Sequence, residues 1–193
     1  MPARPRKVPE QRRQDLVQAA VQLLAEKGFE GLRTREVAAR AGVNIATLHY
    51  YFPTKEALIG GVVEYAMGRF RSTLAPHGSA DQQLRNHLRA VRRLLREEPE
   101  VGSVMGELAL RSSRDPAIAA LLARTHEAWM KTMRGLLRRG VREGHLRPEL
   151  DSAGAASLVV TTLTALTLPV NARPQAELAV RQLEQWLWTK SSN

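Results

Sequence analysis

Between Gly28 and Leu58 the chain reads GFEGLRTREVAARAGVNIATLHYYFPTKEAL. This stretch gathers the groups best suited to chemistry with a polyanion. Affinity for a phosphate backbone needs cations, hydroxyl donors and backbone amides at helix N-termini. Lys55 stands where a new helix starts, so its ammonium and the positive end of that helix act together. Thr34 occupies a similar place one helix earlier. Between them the run Ile45 to Tyr51 carries a hydroxyl at Thr47 and aromatic rings at His49 and Tyr50. A short helix with such a face fits a DNA major groove.

The elements that must position these groups follow from local signals. Thr34 is predicted to N-cap a helix that turns Val37, Ala38 and Ala41 inward and Arg35, Glu36 and Arg40 outward. Gly42 is placed to end that helix in a left-handed turn. Val43 then packs between two helices, and Asn44 caps the next, Ile45 to Tyr51. Seven residues are too few for a helix stable by itself, so Leu48 and Phe52 are expected to anchor it inward. Pro53 ends it and Thr54 caps the helix that opens with Lys55.

The runs Thr34-Arg35-Glu36-Val37-Ala38, Ala41-Gly42-Val43, Thr47-Leu48 and Tyr51-Phe52-Pro53-Thr54-Lys55-Glu56-Ala57-Leu58, in this order and spacing, closely resemble the N-terminal domain of TetR-type (tetracycline-repressor-like) transcriptional regulators. The match covers roughly residues 10 to 60. Three positions depart from the pattern: Asn44 stands where Ser is frequent, Ala46 where Gly is frequent, and His49 in place of the usual Tyr. The resemblance implies a DNA contact set of Thr34, Arg35, Asn44, Ile45, Ala46, Thr47, His49, Tyr50 and Lys55. Within it Arg35 is the best base reader, since its fork can take guanine O6 and N7 together. Thr47 would offer a methyl or a hydroxyl, and Ile45 and Ala46 apolar contact. Arg40 reads as surface charge.

The 193 residues carry a formal net charge of +10, which suits a polyanionic partner, although basic residues such as Arg124, Arg134, Arg138 and Arg139 also lie far from this segment. The absence of cysteine removes disulfide and thiol chemistry. Residues 1–9 form a basic arm with no apolar stretch, so no secretory signal is expected and the location should be cytoplasmic. The arm either touches phosphates or a minor groove, or is a solvated tail. Enzyme readings find little support. His126-Glu127-Ala128-Trp129-Met130 begins like a zinc helix, but Met130 takes the place of the second histidine. No nucleophile elbow, phosphate-binding loop or dinucleotide fingerprint occurs, and His77, His87, His126 and His145 are scattered. No catalytic residue, metal or cofactor is expected.

The rest of the chain is expected to be helical, giving an all-α protein of about nine helices. Residues 10–53 would form the DNA-binding helix-turn-helix domain and residues 54–193 a ligand-binding and dimerisation domain. Apolar stripes place Leu84, Leu88, Val91, Leu94 and Leu95 inward, then Val104, Met105, Leu108 and Leu110. Asp115-Pro116 opens a long helix through Trp129, Met133, Leu136 and Leu137. Residues 153–170 are uncharged, yet their threonines and small side chains favour a packed helix over a membrane span. With the last helix (Leu178, Leu183, Trp186, Leu187) they are the candidate homodimer interface, near 152–168 and 174–188, which is also the pair of helices through which the resembled family dimerises. The resemblance further implies a pocket for a small-molecule effector of unknown identity. Met67, Phe70, Met105, Leu108, Trp129 and Met133 are its candidates, with core packing the alternative for each. The expected function is a ligand-responsive regulator, most plainly a repressor, that binds a palindromic DNA operator as a homodimer. The competing reading is a small-molecule or protein-binding helical module whose helix-turn-helix does not read DNA.

Overall fold

Short polar caps and prolines punctuate nine helices among the described residues, which in this computed structural model are 8–168 and 173–188. They are α1 (Pro9–Gly31), α2 (Thr34–Arg40), α3 (Ile45–Tyr51), α4 (Lys55–Arg71), α5 (Ala80–Glu97), α6 (Pro99–Ser112), α7 (Pro116–Arg142), α8 (Ser152–Ala165) and α9 (Arg173–Leu187). The all-α expectation holds among these residues. Most of the basic arm lies outside them. Asp115 accepts from the amides of Ala117 and Ile118 at 3.1 and 3.3 Å, with Pro116 at the first helical position. Asp151 does the same for Ala153 and Gly154 at 3.0 and 2.9 Å. Each cap satisfies amides that the first turn leaves without a helical partner.

The chain divides into two compact units, the boundary falling inside α4 between Gly68 and Arg69. The core of the first unit joins Leu16, Ala20, Leu23 and Leu24 of α1 to Val37, Leu48, Phe52, Leu58 and Val62, all 2 % exposed or less. Helix α1 is interrupted at Gly28, whose φ of 65° and ψ of −173° leave helical space. In the second unit α7 packs against α5, α6 and α8, and α8 against α9. Its core joins Leu84, Leu88 and Val91, Met133 and Leu137, Val159, Val160 and Leu163, and Leu183 and Leu187. One antiparallel bridge, Leu146 to Trp188, ties the turn after α7 to the end of α9.

Two local expectations need correction. Thr34 is the first residue of α2, not its cap. Arg33 holds the capping position in extended backbone with no capping side-chain bond, because its carbonyl accepts from both Glu36 and Val37 at 3.0 Å. Leu110 points outward and is 71 % exposed. The buried stripe of α6 runs through Val101, Val104 and Leu108, and two residues beyond Leu108 the helix has turned by about 200°. Helix α8 spans 14 residues, and no helix among the described residues is long and apolar enough to cross a membrane. Its buried stripe is Ala155, Ala156, Val159, Val160 and Leu163, while Leu158 lies exposed.

Candidate nucleic-acid interface

The turn between α2 and α3 is built from backbone requirements. Gly42 has φ +67°, and a Cβ placed there would meet nothing within 4 Å. The glycine therefore serves the left-handed conformation and not a close approach. Its turn lets the Val43 amide reach back to the Ala38 carbonyl at 2.9 Å and close the end of α2. Asn44 then stands extended, and its Oδ1 accepts from both the Thr47 amide at 2.8 Å and the Thr47 hydroxyl at 2.9 Å. Helix α3 is fastened by Leu48, its one buried side chain, and by Phe52 just beyond it. Thr54 Oγ1 accepts from the Ala57 amide at 3.1 Å and fixes the start of α4.

Two ion pairs tie the end of α1 to α2. Arg40 forks onto Glu26 with contacts of 2.7 and 2.8 Å, and Lys27 pairs with Glu36. The fork holds the Glu26 carboxyl below its usual range and the Arg40 guanidinium above its own. Arg40 is thereby engaged within the protein. Lys55 Nζ donates to the Phe29 carbonyl at 3.4 Å. An ammonium has three protons, so this long contact leaves others for an outside acceptor.

Of the nine residues singled out from sequence, Arg35, Asn44, Ala46, His49, Tyr50 and Lys55 are exposed, while Thr34, Ile45 and Thr47 are half-buried. Tyr50 is 81 % exposed and meets Tyr51 edge to face at 5.1 Å. An aromatic this open contributes little to packing. The Thr47 hydroxyl proton is committed to Asn44, so its methyl and oxygen lone pairs are what it can still offer.

Residues 16–62 match the family described as "Bacterial regulatory proteins, tetR family", and residues 74–185, more than half of the chain, match "Tetracyclin repressor-like, C-terminal domain". The chain belongs to the TetR family. It is a transcriptional regulator with a DNA-binding helix-turn-helix. It is 24 % identical over 171 residues to the HTH-type transcriptional regulator UidR of Escherichia coli (strain K12), covering 86 % of this chain and 83 % of that one. To the HTH-type transcriptional repressor KstR2 of Mycolicibacterium smegmatis it is 26 % identical over 147 residues, 74 % of this chain and 71 % of the relative. Among solved structures, a transcriptional regulator from Saccharomonospora viridis in complex with choline shares the fold at a TM-score of 0.74 and 22 % identity, covering 94 % of this chain and all of that one.

The six effector-pocket candidates of this TetR-family regulator are divided by the structure. Met67 belongs to the N-terminal unit and the other five to the C-terminal one. Leu108 and Met133 are fully buried, whereas Phe70, Met105 and Trp129 are half-buried. Phe70 and Trp129 lie with ring centroids 6.4 Å apart.

Sequence reasoning missed what Trp129 binds. Its Nε1 donates to His87 Nε2 at 3.0 Å. Indole nitrogen only donates, so Nε2 must be the bare nitrogen and Nδ1 carries the proton. Nδ1 lies 2.8 Å from Thr73 Oγ1, whose own proton goes to the Phe70 carbonyl at 2.6 Å. A directed relay thus runs from α7 through α5 to the end of α4. Burial pushes His87 down to about 4, against the raising effect of Thr73. The signal available in the sequence was a histidine on an apolar stripe, with Leu84, Leu88 and Val91 at helical spacing around it.

Proposed function

We propose that this regulator represses transcription as a homodimer, each subunit reading one half of a near-palindromic DNA operator, and that a small-molecule effector held in the C-terminal unit releases it. The observation that carries the reading is the division of labour on α3: Leu48 faces the core, while Ala46, His49 and Tyr50 face outward. In this reading Arg35 reads a base edge, Lys55 and Thr34 meet phosphates near helix starts, and Asn44, Ile45 and Thr47 complete the contact surface. The arm, residues 1–9, would add phosphate or minor-groove contacts. The helix-turn-helix would occupy residues 10–53, with residues 54–193 serving ligand and partner.

The dimer would form through α8 and α9, whose Leu158, Leu178 and Trp186 are exposed apolar side chains. Apolar area on the same two helices suits a self-complementary interface. The effector would bind among Phe70, Met105, Leu108, Trp129 and Met133 of the C-terminal unit and favour the conformation whose half-site spacing does not fit DNA. The name of the KstR2 relative, a repressor, and the choline held by the Saccharomonospora viridis regulator support repression and ligand response. A DNA partner puts the protein in the cytoplasm.

The test is selection of short genomic fragments on purified protein at physiological salt, with a Thr47→Ala/Lys55→Ala variant beside it. A discrete palindromic site recovered by the native protein alone supports the reading. Random DNA recovered by both, and lost with modest added salt, overturns it in favour of a ligand- or protein-binding module.

A further inference from the structure

One face of α5 presents Arg89, Arg93 and Arg96 at helical spacing, with Arg92 beside them. Opposite lies the turn that follows α4, with Ser72 and Thr73. These residues line an open groove of about 610 Å³ in the C-terminal unit, and its lining contains no acidic side chain.

The four guanidinium groups are unequally engaged. Arg92 is forked by Glu177 of α9, its Nε donating at 3.3 Å. Arg93 lies 4.0 Å from Glu97 with both side chains exposed, a distance at which an open pair holds little. Arg89 donates to Asn86 Oδ1 at 2.7 Å and to the Arg85 carbonyl at 3.3 Å, both neutral acceptors. Among the described residues, neither Arg89 nor Arg96 has a carboxylate within ion-pair reach. Positive charge is therefore concentrated in a concave surface, where field lines focus and anions accumulate.

We propose that this groove is a binding site for a phosphorylated small molecule carrying two or more negative charges, with Arg89 and Arg96 as its principal ligands. Guanidinium forks suit phosphate oxygens bidentately. The volume falls within the range of about 300–1,000 Å³ typical of small-molecule sites, so it has room for an organic body beyond one phosphate. Ser72 also lines the groove, but its hydroxyl proton goes to the Arg69 carbonyl at 2.7 Å, so recognition falls to the arginines. The groove is separate from the interior residues assigned to the effector, and the proposal stands whether or not the protein represses as a dimer. Thr73, at the floor, is 8 % exposed and belongs to the relay through His87 and Trp129, so an occupant would rest against the ordered end of α4.

The experiment is isothermal titration of the full chain with sodium pyrophosphate and, separately, with ATP. It compares the native protein with Arg89→Gln/Arg96→Gln and with Arg124→Gln/Arg138→Gln, which removes the same charge from exposed positions on α7. The native protein and the α7 variant should bind one equivalent per chain. The groove variant should bind about tenfold more weakly or worse, the loss expected from deleting charge-assisted hydrogen bonds. Tighter binding of ATP than of pyrophosphate would support an organic phosphate. Circular dichroism checks the fold, and the single Arg96→Gln, which breaks no side-chain ion pair among the described residues, repeats the test with a smaller loss. Equal weakening in both double variants, or heat that never saturates, would reduce the groove to diffuse charge and overturn the proposal. So would intact pyrophosphate binding combined with weakened DNA retention in Arg89→Gln/Arg96→Gln, which would make the groove a nucleic-acid face.

Discussion

Acidification should weaken the fold through His87, and the size of the effect can be worked out. The imidazole is fully buried, accepts from Trp129 at 3.0 Å and titrates in the folded chain at about 4, against 6.5 when free. Because the folded value is depressed, the native state refuses a proton that the unfolded chain takes up. Stability is therefore unaffected above about pH 6.5 and falls as pH drops from there toward 4. One pH unit of this gap is worth about 1.4 kcal/mol, so at pH 5 the loss is about 2 kcal/mol and at pH 4 and below it approaches about 3 kcal/mol. For a chain of this size 2 kcal/mol corresponds to a Tm lower by about 4–8 °C. An imidazolium would also aim one N–H at another across the Trp129 contact, which adds to the same sign. The comparison protein is His87→Gln, whose amide can still accept from Trp129 and donate toward Thr73 but does not titrate. Urea unfolding of both proteins from pH 8 to pH 5 isolates the histidine, since other groups cancel in the difference. The stability gap between native and variant should move by about 2 kcal/mol against the native protein. A gap independent of pH would refute the reasoning, because His87 would then titrate alike in the folded and unfolded chain.

Other substitutions separate folding from recognition. Gly42→Ala meets no clash but must hold φ +67° with a Cβ, and should cost about 1 kcal/mol in urea unfolding. Tyr50→Ala, at a position 81 % exposed, should leave stability within about 0.5 kcal/mol while operator affinity in a gel-shift assay falls about tenfold or more. Unchanged affinity would remove Tyr50 from the contact set. Trp186→Glu places a charge on the exposed apolar face of α9 and should convert the proposed dimer to monomer in light scattering after gel filtration. A dimer that persists would move the interface elsewhere.

What was legible in the sequence was short-range. The bounds of α3, the cap at Asn44 and the inward placement of Leu48 and Phe52 all follow from residues within a few positions of one another. Thr34 misled because a good capping residue is also tolerated at the first helical position, and the Arg33 carbonyl decided the start. Leu110 misled because an apolar residue two positions from a stripe is easily counted with it. The relay was out of reach: Thr73, His87 and Trp129 are 14 and 42 residues apart, and only packing brings such separations together. The groove needed the same long-range information, since spacing alone does not reveal that, among the described residues, no carboxylate comes within ion-pair reach of Arg89 or Arg96.

The single buried side chain of α3 has a consequence for how such a protein diversifies. Leu48, with the Asn44 cap and Phe52, carries the attachment, so the fold owes almost nothing to the side chains of Ala46, His49 and Tyr50. A library randomised at those three positions should remain folded nearly throughout while its members prefer different DNA sites. Duplicated copies of such a gene could drift to new operators without first acquiring compensating core changes, because the positions that hold the helix and the positions that face outward do not overlap.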